Sequence, residues 1–221
     1  MKRVVAVMAK QPSPGRTKTR LTPTLSNEEA ADFYRCLLHD TLTALGARQD
    51  TDVVIAVAQP DSSAFFTELV PHLAQVPQGD GPLGDRLDTV LTTCLSKGYG
   101  EAFAIGSDSP DLPPSHLDDA FAALERPDVD LVFGPSDDGG YYLIGQTQRW
   151  PEVVTEVRMS TSSVLADTLT VARRVGASVH LAPAWYDVDV PADLDRLRLP
   201  GPGTAAQSVA WLDKHRRSTG S

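Results

Sequence analysis

The sequence has little cysteine, few aromatic residues and no long apolar run. Its two cysteines, Cys36 and Cys94, belong to no CxxC or Cys/His cluster, so the sequence predicts no structural zinc and fits a reducing compartment. No apolar run approaches the roughly 18 residues that a membrane span needs, and the amino-terminal MKRVVAVMAK is too short for the apolar region of a signal peptide. We therefore expect a cytoplasmic protein without a membrane partner.

Basic residues are also scarce. Lys and Arg number 20 against 29 Asp and Glu, and the resulting net charge of −9 argues against nucleic acid as a partner. The sequence contains no G-x-S-x-G, H-E-x-x-H, Walker A or G-x-G-x-x-G motif, so it predicts none of the enzyme classes that those motifs mark. The 221 residues are 41% apolar, which is enough for one large core.

Strand-like and helix-like patterns alternate along the chain. Strands are predicted at residues 2–8, 52–58, 74–76, 102–106, 130–134, 141–145, 179–181 and 185–188. Helices are predicted at residues 62–70, 84–97, 115–124 and 161–174, and a capping box at Ser26 and Glu29 predicts another that ends near residue 47. This alternation indicates an α/β fold with a largely parallel sheet over residues 1–199. A break at Pro200–Gly203 opens the segment 200–221, in which we expect an appended helix and tail that Trp211 and Leu212 would dock on the body.

In such sheets ligands bind beyond the carboxyl ends of the strands, so the loops after strands are the places to look for chemistry. The loop after the first strand carries Arg16, Lys18 and Arg20 at alternate positions, which an extended segment would point in one direction. Guanidinium and ammonium groups bind phosphate oxygens, so we predict a phosphate-binding loop. The alternative is a solvated basic turn.

Asp108 and Asp111 follow the strand at residues 102–106, in the segment GSDSPDLPP. A rigid carboxylate there suits a divalent cation, Mg²⁺ or Mn²⁺, bound against the phosphates of a nucleotide. We therefore assign Asp108 to the metal and to catalysis, and Asp111 to substrate binding. The alternative for Asp111 is a cap of the following helix. Ser107 and Gly84 complete the predicted nucleotide-binding set.

The segment SDDGGYY joins two strand-like runs. Asp137 and Asp138 are candidate catalytic residues that face the acceptor, while Gly139, Gly140 and Tyr141 are candidate substrate contacts. A hairpin turn of the Asp-Gly type is an equally good interpretation of the same residues, and the two do not exclude each other.

The segment WYDVDVPADL places Asp187 and Asp189 two residues apart on a predicted strand, so both would point to one face. Either of them, with Asp108, would make a two-carboxylate metal site that substrate phosphates complete. The alternative for Asp189 is the cap of a helix that begins at Pro191.

Four segments together resemble a known family. MAKQPSPGRTKTRL, GSDSPDLPPSHL, GPSDDGGYYLIG and WYDVDVPADL are similar to successive motifs of the bacterial DUF2064 family, in the nucleotide-diphospho-sugar transferase (GT-A fold) superfamily. The resemblance covers about residues 3–198. It implies a three-layer, Rossmann-like sandwich with a mixed, mostly parallel sheet that binds a nucleotide at its carboxyl edge. The family's Trp-Ser-Thr motif is Met159-Ser160-Thr161 here.

The same superfamily includes guanylyltransferases of the phospholactate and molybdenum-cofactor type, whose Lys-x-Arg-Leu pattern resembles Lys18-Thr19-Arg20-Leu21. If the roles of these enzymes are carried over to this sequence, Lys18 and Arg20 would bind phosphates, and Asp108 and Asp189 would bind the metal. The leading hypothesis is a metal-dependent glycosyltransferase that moves a sugar from a nucleotide-sugar to a small acceptor. The alternative is a nucleotidyltransferase that couples a nucleoside triphosphate to a small phosphorylated acid and releases pyrophosphate. A non-catalytic nucleotide-binding module is a third hypothesis.

Overall fold

The chain folds around one seven-stranded sheet. The computed structural model describes residues 2–197, 199 and 205–219. The strands are β1 (Arg3–Ala9), β2 (Asp52–Val57), β3 (Ala74–Pro77), β4 (Glu101–Ile105), β5 (Leu131–Pro135), β6 (Tyr141–Gln146) and β7 (Val179–Leu181). The helices are α1 (Asn27–Gly46), α2 (Ser63–Leu69), α3 (Leu83–Ser96), α4 (Pro114–Leu124), α5 (Pro151–Thr155), α6 (Val164–Val175), α7 (Pro191–Leu197) and α8 (Ala206–Thr219). The predicted α/β alternation is confirmed.

The order of the strands creates a single edge at which several loops meet. The order is β3-β2-β1-β4-β6-β5-β7, and only β6 runs antiparallel to its neighbours. A turn at residues 136–140 leads from β5 directly into β6, which reverses the chain. The carboxyl ends of the six other strands and the start of β6 therefore lie at the same edge, where α/β sheets bind ligands.

The side chains of β1 alternate between two cores, one on each face of the sheet. Val5 packs in a cluster with Leu38 of α1, whereas Val4 packs in the opposite cluster with Leu91 of α3. All four side chains are at most 1% exposed. Because helices cover both faces, the fold is the three-layer sandwich that the resemblance implies.

The first long helix begins at the predicted capping box. Ser26 Oγ accepts a hydrogen bond from the Glu29 N–H at 3.2 Å, and Glu29 Oε2 accepts one from the Ser26 N–H at 2.7 Å. These bonds satisfy two donors that the helix start would otherwise leave unpaired.

Helix α8 docks on α1, as predicted. Asp40 of α1 accepts backbone hydrogen bonds from Gln207 at 3.2 Å and from Ser208 at 2.8 Å. Leu212 is buried, and the Trp211 ring lies 5.2 Å from that of Phe33. The predicted break at residues 200–203 lies outside the described residues.

Two element predictions were wrong. Residues 185–188 form no strand, because Trp185 makes an isolated bridge to Ser136 and the Val188 N–H bonds to the carbonyl of Asp108 instead of to a strand. Helix α6 begins at Val164 rather than at residue 161, because residues 161–164 form a turn in which the Val164 N–H donates to the Thr161 carbonyl at 3.2 Å and Ser163 is the N-cap. Among the described residues, none of the helices is both long enough and apolar enough to cross a membrane.

Candidate active site

Six of the fourteen predicted site residues line one cavity at the carboxyl edge of the sheet. This cavity has a volume of about 490 Å³ and is termed the acidic cavity below. Its wall carries six carboxylates, those of Asp108, Asp137, Asp138, Asp187, Asp189 and Asp193. Arg20 and Arg196 contribute guanidinium groups. Since the wall is strongly negative, a phosphate-bearing ligand needs cations beside it to bind there.

Lys18 lies against two of these carboxylates. Its Nζ is 2.9 Å from Asp108 Oδ2 and 3.7 Å from Asp189 Oδ1, and only 4% of the side chain is exposed. These contacts are ion pairs without hydrogen-bond geometry. Arg20 donates a hydrogen bond to Asp189 Oδ2 at 2.6 Å. The structure thus brings the basic loop after β1 together with carboxylates that come from two distant segments.

The basic loop reaches this position as a turn, and the prediction of an extended segment was wrong. The Arg16 N–H donates to the Ser13 carbonyl at 3.1 Å, Lys18 has a left-handed φ of 50°, and a 3₁₀ turn follows at Thr19–Leu21. The three cations therefore do not share one face. Lys18 is turned inward, Arg20 lines the acidic cavity, and Arg16 is exposed and absent from its lining.

Asp108 has one carboxylate oxygen that the protein leaves without a partner. Oδ2 faces Lys18, whereas Oδ1 is buried and makes no hydrogen bond. A buried acceptor without a partner is costly, so this oxygen marks a place where a bound cation would be stabilised. The hydrogen bond from the Val188 N–H to the Asp108 carbonyl, at 2.8 Å, fixes Asp108 against the segment that carries Asp189.

Asp187 also lines the acidic cavity, but its oxygens are already engaged. Oδ1 accepts the Ser109 hydroxyl at 2.7 Å and Oδ2 accepts the Ser136 hydroxyl at 2.9 Å. Burial of this carboxyl, followed by the nearby charge of Asp108, raises the pKa of Asp187 above its usual range. Of the two predicted partners of Asp108, Asp187 is therefore the more enclosed, whereas Asp189 is 37% exposed and its oxygens face Arg20 and Lys18.

The start of α7 explains why Asp189 is available to the site. Asp193 Oδ2 accepts the N–H groups of Asp189 at 2.9 Å and of Val190 at 2.8 Å. Asp193 therefore satisfies the N–H groups of the two residues that precede α7, and the alternative in which the Asp189 side chain caps this helix was wrong. The Asp189 side chain pairs with Arg20 instead.

The turn at residues 136–140 is both the predicted hairpin turn and part of the cavity wall. The Ser136 N–H donates to the Gly140 carbonyl at 3.0 Å, and Asp138 Oδ1 accepts the Gly140 N–H at 2.9 Å. Asp137 Oδ2 pairs with Arg196 at 2.6 Å. Asp138 thus shapes the turn, and Asp137 holds an arginine at the cavity.

Gly139 fastens this turn to the segment before α6. Its φ is 88°, and a Cβ at this position would lie 2.0 Å from the carbonyl oxygen of Ser162. The Leu165 N–H donates to the Gly139 carbonyl at 3.1 Å. No other residue type fits this close approach, so the glycine fixes residues 159–163 over the cavity edge.

A second cavity, termed the apolar cavity, adjoins the acidic one. Its volume is about 220 Å³. Most of its lining side chains are apolar, namely Met8, Leu83, Leu87, Ala104, Ile105, Ile144, Met159 and Val164. Gly140 and Tyr141 of the predicted substrate-binding set line this cavity rather than the acidic one.

Two predicted ligand contacts are buried among protein groups. Asp111 is 7% exposed and accepts hydrogen bonds from Trp185 Nε1 at 3.3 Å and from the Tyr186 hydroxyl at 2.6 Å. The Ser107 hydroxyl lies 2.8 Å from that of Tyr34. Neither residue lines the two cavities, so substrate binding by Asp111 and phosphate binding by the Ser107 side chain do not fit this packing. Asp111 does not cap α4 either, since its oxygens hold the two aromatic side chains.

Gly84 also has a packing role instead of the predicted nucleotide contact. A Cβ at residue 84 would lie 2.0 Å from the carbonyl oxygen of Val154, so the glycine lets α3 approach α5 closely. Its neighbour Leu83 lines both cavities.

Arg196 is a site residue that the sequence analysis missed. Its guanidinium lies 3.7 Å from the ring centroid of Tyr186 and pairs with Asp137. Helical spacing could have indicated it, since residues three positions apart lie on the same face of a helix. Arg196 follows Asp193 by three residues in α7, and both line the acidic cavity.

Comparisons with known proteins agree with this geometry. A family model described as "Uncharacterized protein conserved in bacteria (DUF2064)" matches residues 41–161. The chain belongs to the DUF2064 family. A 2-phospho-L-lactate guanylyltransferase of Halomicrobium mukohataei is 30% identical, over 96% of this chain and 91% of the relative.

Two further proteins resemble this DUF2064 chain along most of its length. A phosphoenolpyruvate guanylyltransferase of Rhodococcus erythropolis is 25% identical, over 85% of this chain and 87% of the relative. A solved structure from Desulfovibrio desulfuricans G20, described as a candidate nucleotide-diphospho-sugar transferase, has a TM-score of 0.88 and 30% identity, and the match covers 98% of this chain and 96% of that one. The fold is therefore that of the nucleotide-diphospho-sugar transferases, and the protein is a transferase.

Proposed function

We propose that this DUF2064 protein is a metal-dependent nucleotidyltransferase. It joins the nucleotidyl group of a nucleoside triphosphate to a small phosphorylated acid and releases pyrophosphate. The observation that carries the proposal is the buried Lys18 ammonium between Asp108 and Asp189, with Arg20 beside it, at the carboxyl edge of the sheet. Fixed cations next to carboxylates suit a triphosphate that binds together with a metal ion.

The relatives support nucleotidyl transfer over sugar transfer. Both curated relatives described above are named guanylyltransferases, and each match covers most of both chains. Sugar transfer, the leading hypothesis from sequence, is supported by the fold and by the description of the Desulfovibrio protein. A triphosphate also presents more negative charge to the basic loop than the diphosphate of a nucleotide-sugar does.

Asp108 and Asp189 are the residues that would hold Mg²⁺ or Mn²⁺. Carboxylate oxygens are the ligands that such ions prefer, and Asp108 Oδ1 is buried without a partner. Within the described part of the chain, no three His, Cys, Asp or Glu side chains are grouped to hold a metal. Substrate phosphates would have to complete the shell around two carboxylates. When bound there, the ion would supply positive charge that neutralises the phosphates and the leaving group.

The reaction requires little from the protein beyond positioning and charge. An acceptor oxygen attacks the α-phosphorus, and the bond from this phosphorus to the oxygen bridging to the β-phosphate breaks. The electron pair leaves with pyrophosphate, whose charge Lys18 and Arg20 balance. A phosphate or carboxylate nucleophile is already ionised near neutral pH, so no side chain has to remove a proton.

The acceptor side of the site needs a cation of its own, because an acidic acceptor is repelled by the carboxylates. Arg196 meets this need, since Asp137 and the Tyr186 ring hold its guanidinium at the cavity wall. We therefore assign acceptor binding to Arg196 and the positioning of Arg196 to Asp137. Asp138 maintains the turn that carries Asp137.

The test is phosphorus NMR of the protein with Mg²⁺ or Mn²⁺, each of the four nucleoside triphosphates, and a panel of small acids. The panel includes 2-phospho-L-lactate, phosphoenolpyruvate and 2-phosphoglycolate, and nucleotide-sugars are tested in parallel. Pyrophosphate is expected from one triphosphate only when an acid is present. Release of a nucleoside diphosphate from a nucleotide-sugar would instead favour sugar transfer, and nucleotide binding without turnover would favour the non-catalytic hypothesis.

A further inference from the structure

The apolar cavity adjoins the acidic cavity but has no part in the phosphate chemistry proposed above. Four residues line both cavities: Leu83, Asp138, Ser160 and Asp187. One ligand can therefore extend from one cavity into the other, with its reacting group near the carboxylates and another part among apolar side chains.

Beyond this shared border, the apolar cavity offers a ligand few polar side-chain atoms. The Tyr141 hydroxyl points to Met159 Sδ at 3.7 Å, and the Tyr142 hydroxyl donates to the Pro183 carbonyl at 3.0 Å. The Thr161 hydroxyl donates to a backbone carbonyl at 3.2 Å. Because these donors already have acceptors, the cavity stabilises a ligand mainly by removing apolar surface from water.

We propose that the apolar cavity binds an apolar side group of the acceptor, either a branched alkyl or an aromatic group. The inference rests on the proposed function and specifies its substrate class: a phosphorylated hydroxy acid larger and less polar than phospholactate. A nucleobase fits less well, because its edge carries several donors and acceptors that would lose hydrogen bonds with water and find few replacements here.

Met159 limits how large this side group is. It lines the cavity, and its thioether sulfur accepts the Tyr141 hydroxyl at 3.7 Å. A thioether side chain is smaller and more adaptable than an indole, so it leaves space that Trp would fill. Gly139 packs closely against the Ser162 carbonyl, and this contact positions the segment around Met159.

The experiment compares four acceptors that differ only in the group on carbon 2. They are 2-phosphoglycolate, 2-phospholactate, 2-phospho-4-methylpentanoate and 2-phospho-3-phenylpropanoate, which carry hydrogen, methyl, isobutyl and benzyl groups. We measure kcat/KM for pyrophosphate release with the preferred triphosphate. Each buried CH₂ group is expected to raise kcat/KM about fourfold, or about 50-fold from methyl to isobutyl. A series that is flat, or that falls with size, overturns the proposal.

In the variant M159W, kcat/KM for the isobutyl acceptor should fall to about that for 2-phosphoglycolate, so that the ratio of the two values is about one. The control L181W adds the same indole at a half-exposed position on β7, outside both cavities, and should leave this ratio unchanged. If M159W does not fold, M159A serves instead and should shift the preference from isobutyl towards benzyl. An unchanged preference in a folded Met159 variant overturns the assignment of this cavity.

Failure of the proposed function would appear differently, as no pyrophosphate with any acid and any triphosphate. In that case the same four acids are titrated calorimetrically into the protein with Mg²⁺ and a non-hydrolysable triphosphate analogue. Affinity that rises with side-group size, and that M159W abolishes, supports the cavity assignment although the reaction is a different one. Equal affinity across the series, or no binding, overturns it.

Discussion

The two adjoining cavities differ in what their walls are made of. The acidic cavity has six carboxylates and two arginines on its wall, with Lys18 buried against two of the carboxylates. The apolar cavity has mainly aliphatic and thioether side chains. We propose that the acidic cavity selects ligands by their phosphates and cations, and that the apolar cavity selects them by size. Under this proposal chemistry and specificity are separated in space, although the turn at residues 136–140 and the segment at residues 159–163 contribute to both cavities.

The largest expected effect is in the acidic cavity. D108N removes the charge of the carboxylate that has the unpaired buried oxygen, and it should lower kcat for pyrophosphate release by about 10³-fold. A chelator should have a similar effect on the unmodified protein. The control D128N changes an exposed aspartate far from the site and should be as active as the parent. Unchanged turnover in D108N, measured with an unchanged melting temperature, would show that Asp108 holds no metal.

K18A is expected to weaken nucleotide binding without changing which base is preferred. Losing a hydrogen bond or ion pair to a charged group corresponds to about 10- to 100-fold in Kd or KM. Lys97 is exposed at the end of α3, so K97A is the matched control. Calorimetry with each nucleoside triphosphate measures the effect, and an unchanged affinity for K18A would return the loop to the interpretation of a structural basic turn.

G139A should affect both cavities at once. Gly98 has nearly the same φ, 89° against 88°, but a Cβ there has no neighbour within 4 Å. We expect G98A to introduce only left-handed backbone strain, which costs about 1–2 kcal/mol and lowers the melting temperature by a few degrees. G139A must also move the Ser162 carbonyl, so its melting temperature should fall at least twice as far and its activity about tenfold. Equal losses in the two variants would mean that the contact with residue 162 is unimportant.

The smallest effect is expected at the border of the acidic cavity. R196A removes the guanidinium that Asp137 and Tyr186 hold, and it should raise the KM for the acid acceptor about fivefold. The KM for the nucleotide should stay the same, because we assign its phosphates to Lys18 and Arg20. R126A removes an exposed arginine elsewhere and controls for net charge. A rise in the nucleotide KM instead would assign Arg196 to the donor.

Local sequence patterns determined the elements of this fold. The capping box at Ser26 and Glu29 places the start of α1 correctly, since both bonds form within one turn of chain. The β-branched runs identify the main strands, because a strand buried on both faces needs apolar residues throughout. Residue types alone identified the loop after β1 as basic and the loop after β4 as acidic. Sequence therefore predicted the fold class and the general location of the site.

Only the tertiary structure decided which side chains meet. Lys18 turns inward because of a left-handed backbone that no residue pattern signals, and Asp111 is buried by two aromatic donors 74 and 75 residues away. The roles of Asp187 and Asp189 also separate only when Ser109, Ser136 and Arg20 are in place around them. A local pattern fixes φ, ψ and periodicity over a few residues. The surroundings of a carboxylate depend on contacts between distant segments, which exist only once the sheet has formed.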